Sequence, residues 1–244
     1  MVRPTATFIL LAINVVIFAV GFVSRSTQLE LFSIGASRSY EVLVEGQYHR
    51  LFMAMFLHAN TMHLFFNMYA LYIIGRGVEP IFGHTRFLIV YLLGGLAGSV
   101  LSVVLGNPDP SLGVPSVGAS GAVFALFGAE MVYLYRHRKL MGQRATQQLR
   151  SLLMLLGINL VIGLASWFGN SGIRIDNWAH LGGLGGGLLL TWLLGPIFVV
   201  SESPEQPANL MAIDTNPLQK NLWLVSLYVI AMIAVLAVFS FLVR

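Results

Sequence analysis

The chain has 244 residues, 57% of them hydrophobic and 10% charged, with a mean hydropathy of +0.78 and a formal net charge of +4. That is too apolar for a water-soluble globule and reads as a polytopic membrane protein with no aqueous domain of any size. The absence of cysteine excludes a disulfide framework, a thiol nucleophile and a thiolate metal site.

A spanning helix needs about 20 mostly apolar residues. Seven stretches meet or approach that length: 5–23, 61–76, 87–105, 118–135, 152–168, 178–200 and 222–243. The first follows a short Met-Val-Arg-Pro leader and lacks a small-residue cleavage site, so a retained helix is expected rather than a removed signal peptide. Between the first two spans, residues 24–60 carry apolar patches at 29–34, 42–44 and 51–57, separated by Arg38, Glu41, Glu45, His49 and Arg50. This suits an interfacial or re-entrant element, with an ordinary surface loop as the alternative.

The connection between spans four and five holds Arg136, Arg138, Lys139, Arg144 and Arg150, the densest basic cluster in the chain. By the positive-inside rule it faces the cytoplasm. Parity then puts Arg3, Arg76 and Arg86 inside and the stretch 106–117, which has no Lys or Arg, outside. The N-terminus is expected in the cytoplasm and the C-terminus outside. Beside a membrane span, the cluster reads as a topology signal and a lipid contact rather than a nucleic-acid patch.

With that topology, Ser120 in Gly118-Ala119-Ser120-Gly121 opens span four from the outer side. His180 holds the equivalent position in span six, and His63 and Asn67 lie in the first turns of span two. At about 1.5 Å per residue, four polar side chains on three helices share one depth, a few ångströms below the outer surface. Each has a plain alternative, since small and polar residues commonly pack membrane helices. Ionisable groups within a membrane are expensive, however, and the partner expected for His180 is Ser120.

His180, Gly183 and Gly187 share one face of span six, and Gly121, Ala125 and Gly128 offer a matching one on span four. Packing of the two faces would bring imidazole and hydroxyl together. His63 and Asn67, four residues apart on one helix face, could join the Ser120 amide as an oxyanion hole. The chemistry implied is amide hydrolysis, with Ser120 attacking a carbonyl and His180 moving the proton.

No carboxylate completes a triad, because Asp176 and Asp109 lie in outer loops, so a dyad is expected with Phe124 stacked on the imidazole one turn below Ser120. His58 and His63 are five residues apart, about 140° around a helix, unlike a helical zinc pair. Gly118-x-Ser120-Gly121 is not a nucleophile elbow, since position 122 is alanine and no strand precedes it. His49, His84 and His137 fall in loops and are expected to be solvated. Asn159, mid-span five, is expected to bond a neighbouring helix, and Glu130 to pair with a basic residue at the inner boundary. No metal or other cofactor is expected.

Three motifs together resemble the rhomboid intramembrane serine proteases: His58-x4-His63-x3-Asn67, Gly118-x-Ser120-Gly121 and Ala179-His180-x2-Gly183-x3-Gly187. The likeness covers roughly residues 46–190 and is specific as a set. It implies an all-α, six-helix core over 1–200, a cytoplasmic linker at 201–221 bearing Glu202, Glu205 and Asp214, and an additional C-terminal helix at 222–244. It further implies Ser120 as nucleophile, His180 as base, and His63, Asn67 and the Ser120 amide as oxyanion donors.

By the same resemblance His58 supports a water-filled site and Gly121 holds the serine loop. Arg50, in a segment similar to the family's Trp-Arg motif, and Glu79 are structural. Two positions depart from the family pattern. His49 stands where many members have tryptophan, and Phe124 where tyrosine is frequent. The expected partners are the lipid bilayer and single-pass membrane proteins, cut near their outer ends, in a bacterial inner membrane. The alternatives are a proteolytically inactive relative that binds membrane helices and, from another class, a small transporter. Both catalytic residues are present, and no internal repeat is visible.

Overall fold

The computed structural model describes residues 2–168, 175–202 and 210–244. The described chain is almost wholly helical. The helices are α1 (Thr5–Val23), α2 (Arg25–Gly35), α3 (His49–Met53), α4 (Thr61–Leu105), α5 (Ser120–Arg136), α6 (Arg138–Met141), α7 (Gln143–Phe168), α8 (Asn177–Leu194) and α9 (Leu218–Val243). A two-stranded antiparallel ribbon, β1 (Phe198–Glu202) and β2 (Leu210–Asp214), joins α8 to α9.

Helix α4 is two helices joined at Gly83, whose φ of 74° breaks the helical path. Only glycine adopts that conformation readily. The first arm therefore continues through Glu79 and Pro80, well past the boundary at 76 expected from hydropathy. Counting both arms, there are seven long helical segments among the described residues, consistent with an all-α polytopic membrane protein. Among the described residues α1, α4, α7 and α9 are long and apolar enough to cross a membrane by length and composition. Helices α5 and α8 are shorter, and α5 lies almost entirely buried among its neighbours.

The centre of the bundle is α5, α8 and the second arm of α4. Two glycine pairs on α8 explain how close they come. Gly183 and Gly187 lie against the backbone of α5, where an added Cβ would fall 2.0 Å from the carbonyl oxygens of Gly121 and Ala125 respectively. Gly182 and Gly186, about 100° around the same helix, lie against Ala97 on α4. In lipid, helices associate through such close packing rather than through the hydrophobic effect.

Helix α1 buries one stripe of Ala6, Thr7, Leu10, Asn14 and Gly21 against its neighbours. Its N-terminus is capped from another helix. The Glu79 carboxylate, fully buried, accepts from the amides of Ala6 (2.8 Å) and Thr7 (2.7 Å) and from the Thr7 hydroxyl (2.6 Å). His84, across the Gly83 break, bonds Oε1, the oxygen that also accepts from Ala6, at 2.6 Å. An anion at a helix N-terminus is favoured by the free amides and the dipole together.

The stretch 24–60 is ordered and largely helical. Arg50 is buried and donates to the Ser33 and Ala36 carbonyls at the end of α2 and to Gln47. A π-helical turn (Tyr40–Val44) buries Val42 and Leu43 with Val100 and Val103 of α4, alongside Leu236 and Phe239 of α9.

Several boundaries and contacts differ from the hydropathy reading. Span six was expected over 178–200, but α8 ends at Leu194, and Gly195 and Pro196 precede the ribbon. Strand β1 thus straddles the edge at 200 between core and linker; Glu205 lies outside the described residues. Helix α7 begins at Gln143 rather than 152, so Arg144 and Arg150 are helical. His137 is buried, not solvated, with Nδ1 against the Tyr133 carbonyl (2.8 Å) and Nε2 accepting from the Phe198 amide (2.9 Å). His84 is half-exposed but held by Glu79. Glu130 accepts from the neutral Gln148 rather than a basic side chain. Asn159 donates to Leu155 within α7, four residues back, rather than to another helix.

Candidate active site at one end of the bundle

Ser120 is the first residue of α5, partly exposed, and follows Gly118, whose φ of 125° turns the chain into the helix. Two contacts hold this entry. The Gly118 amide donates to Ala54 O at 2.8 Å, and Ser116 and Ser37 exchange backbone hydrogen bonds at 2.7 and 3.0 Å. The ordered segment after α1 thus acts as a clamp on the serine loop. The first amides of α5 have no intrahelical partner, as at any helix start, and no side-chain cap takes them up.

Helix α4 begins beside this loop. Asn60 caps it, its Oδ1 accepting from the His63 amide at 2.9 Å. One turn on, buried Asn67 donates to the His63 carbonyl at 2.9 Å. The His63 ring accepts the Ala59 amide at Nδ1 (3.4 Å), which in the neutral ring puts the proton on Nε2. That edge faces the serine loop. A Cβ added at Gly118 would lie 2.7 Å from His63 Nε2 and 3.8 Å from Asn67 Nδ2. His58 is buried behind, with its ring edge-on to His63 at 5.2 Å.

His180 lies one turn into α8, 7% exposed. Its ring stacks on Phe124 at 4.2 Å and 11°, one turn along α5 from Ser120. Asp176 is fully engaged as the cap of α8, accepting the Ala179 amide (2.9 Å) and the Ser102 hydroxyl (2.5 Å). Its carboxylate caps the helix, and His180 Nδ1 is buried without a hydrogen-bond partner among the described residues. Gly121 and Gly183 meet between these two groups, Gly121 lying under the Ala179 carbonyl, where an added Cβ would be 3.3 Å away.

The structure therefore gathers Ser120, His180, His63, Asn67, His58, Gly118, Gly121, Phe124 and Gly183 at one end of the bundle. Gly187 packs one turn deeper, Arg50 braces the segment beside the site, and Glu79 of α4 sits at the opposite end, against the start of α1. Asn60, Ser102 and the Ser37–Ser116 pairing were missed in the sequence. Asn immediately before an apolar helix is a readable cap signal, whereas nothing in the local sequence announces the other two.

The family description of the Rhomboid domain matches residues 45–197. The chain is 32% identical over 194 residues to Rhomboid protease GluP of Bacillus subtilis (strain 168), covering 79% of this chain and 35% of that protein. It is 36% identical over 164 residues to RHOMBOID-like protein 6, mitochondrial, of Arabidopsis thaliana, covering 67% and 49%. Against Rhomboid protease AarA of Providencia stuartii the figures are 30% over 217 residues, 79% and 73%. The chain spans about a third of the length of the first relative and about half of the second. The span of the match and the level of identity leave one assignment: this chain belongs to the Rhomboid family.

Proposed function

We propose that this protein is an intramembrane serine protease working by a Ser120–His180 dyad. The observation that carries the reading is the convergence at the start of α5. The His63 Nε2 edge and the Asn67 amide face Gly118, and the His180 ring is stacked on Phe124 one turn below Ser120. Engagement of Asp176 as a helix cap supports a dyad rather than a triad.

In the reaction, Ser120 Oγ attacks the scissile carbonyl carbon and its proton passes to the His180 imidazole. Charge developing on the carbonyl oxygen is met by His63, Asn67 and the Ser120 amide, donors held in place before reaction. The C–N bond breaks as the imidazole returns the proton to the leaving amine. Water then hydrolyses the acyl-enzyme by the same proton route. A helical peptide bond is shielded by its own hydrogen bonds, so the substrate segment unwinds locally before attack, and helix-weakening Gly or Pro near the bond favours cleavage. The substrates are single-pass membrane proteins cut near their outer end, with the N-terminus of the protease in the cytoplasm of a bacterium and its C-terminus outside.

The test is cleavage of a transmembrane substrate by purified wild type, Ser120→Ala and His180→Ala in detergent. Both variants should lose activity, and only wild type and His180→Ala should retain the hydroxyl a fluorophosphonate probe would need. Equal cutting by all three ends the protease reading.

A further inference from the structure

At the opposite end from Ser120, the inner halves of α5, α7 and α8 leave an apolar groove of about 520 Å³ between them. Tyr135 on α5, Leu149 and Leu153 on α7, and Gly185, Leu189 and Trp192 on α8 line it. Gly185 gives the groove its depth, because a Cβ there would meet nothing within 4 Å. The mouth is basic. The Arg136 guanidinium lies over the Trp192 ring at 4.3 Å, and that of Arg138 over Tyr135 at 4.0 Å. The Nη1 of Arg136 is buried with no hydrogen-bond partner among the described residues. Lys139, Arg144 and Arg150 follow, and no Asp or Glu occurs from 131 to 175. The nearest carboxylate in sequence, Glu130, is taken up by Gln148.

An apolar slot with two guanidinium groups stacked on its lining rings at the polar end fits one chemistry. We propose that this groove is a binding site for a single anionic phospholipid, an acyl chain lying along Leu149, Leu153, Leu189 and Gly185 and the phosphate on Arg136. Arginine forks recognise phosphate oxygens bidentately, and basic pockets between spanning helices hold acidic headgroups. The slot suits an extended chain better than a transmembrane helix about 10–12 Å across. The bound lipid would wedge α7 against α5 and α8, which it otherwise touches lightly along a face that is mostly exposed. This site stands independently of the chemistry at Ser120.

The test is native mass spectrometry of the full chain in detergent, titrated with dioleoyl phosphatidylglycerol or dioleoyl phosphatidylcholine. Wild type should retain one phosphatidylglycerol at least fivefold more tightly than phosphatidylcholine. Arg136→Gln should erase that preference, and Gly185→Phe, which fills the slot without altering charge, should weaken retention of the same lipid about tenfold. Lys220→Gln, a basic residue outside the groove on α9, should leave both unchanged. Thermal unfolding verifies that each variant is folded, and Gly185→Leu replaces Gly185→Phe if the larger ring prevents folding. Equal affinity for the two lipids, or wild-type retention in both groove variants, overturns the proposal. So does displacement of phosphatidylglycerol by a transmembrane peptide, which would assign the groove to protein segments.

Discussion

Replacing Gly183 by Ala tests how the glycine seam between α5 and α8 sets the site. The new Cβ would stand 2.0 Å from the Gly121 carbonyl oxygen, 2.7 Å from its carbon and 3.0 Å from its Cα. All three are backbone atoms, so no side chain can swing away. A carbon held against a carbonyl oxygen needs about 3.3 Å, so α8 must withdraw by roughly 1.3 Å along that contact. His180 is one turn earlier on the same helix and moves with it, while Ser120 stays with α5. A displacement near 1 Å between reacting groups lowers rates by about 10²-fold, and overpacking of this kind destabilises by about 1–3 kcal/mol. The assay is steady-state cleavage of a transmembrane substrate in nanodiscs, with thermal unfolding measured alongside. The loss should fall mainly in kcat. Gly185→Ala, two residues away but facing open space, is the control and should be neutral or stabilising by about 0.5–1 kcal/mol. If the two alanine variants cut at the same rate, the seam does not set the distance between α5 and α8, and the reasoning fails.

Three further expectations concern single contacts. Glu79→Gln leaves one acceptor oxygen where two now serve four donors and points an amide N–H at them; the loss should be about 1–3 kcal/mol, and an unchanged unfolding midpoint would refute the cap. Phe124→Leu removes the ring stacked on His180; an aromatic pair of this kind is worth about 0.5–1.5 kcal/mol, so kcat should fall about two- to tenfold while Phe124→Tyr stays near wild type. At the ribbon, burial by itself would raise the Asp214 pKa, but the Ile197 and Asn216 amides and the Arg86 guanidinium hold it below the usual aspartate value. A depressed native pKa stabilises fully above the unfolded value and loses that contribution as pH falls through the native one. Amide-exchange protection of β1 and β2 should therefore decline only in acid, and Asp214→Asn should flatten that dependence.

Much of this was written in the sequence. Composition alone determined a membrane protein, because 57% hydrophobic residues leave no other solvent for the surface. The polar residues of the candidate site stood out because ionisable groups are rare inside apolar helices, which makes each one visible against its background. The glycine spacing of α8 was equally legible, being a local periodicity, and it named the faces that the structure packs together. Boundaries were less secure. Hydropathy could not separate the end of α8 from the apolar strand β1, since Phe198, Val199 and Val200 look the same to a hydrophobicity average whether they are helix or strand.

Tertiary structure alone decided the contacts that link distant segments. Glu79 caps a helix that begins 74 residues earlier, Arg50 collects the last carbonyls of α2, and Ser37 pairs with Ser116. None has a local pattern, because the partner of a buried polar group is chosen by which helices meet, not by its neighbours in the chain. The same holds for Asp176, one turn from His180, whose carboxylate caps α8 and accepts from Ser102, contacts that depend on where its oxygens point. Sequence determined which segments enter the membrane and which side chains are costly there; packing decided which of those side chains meet, since hydrogen bonds and close helix contacts act only over a few ångströms.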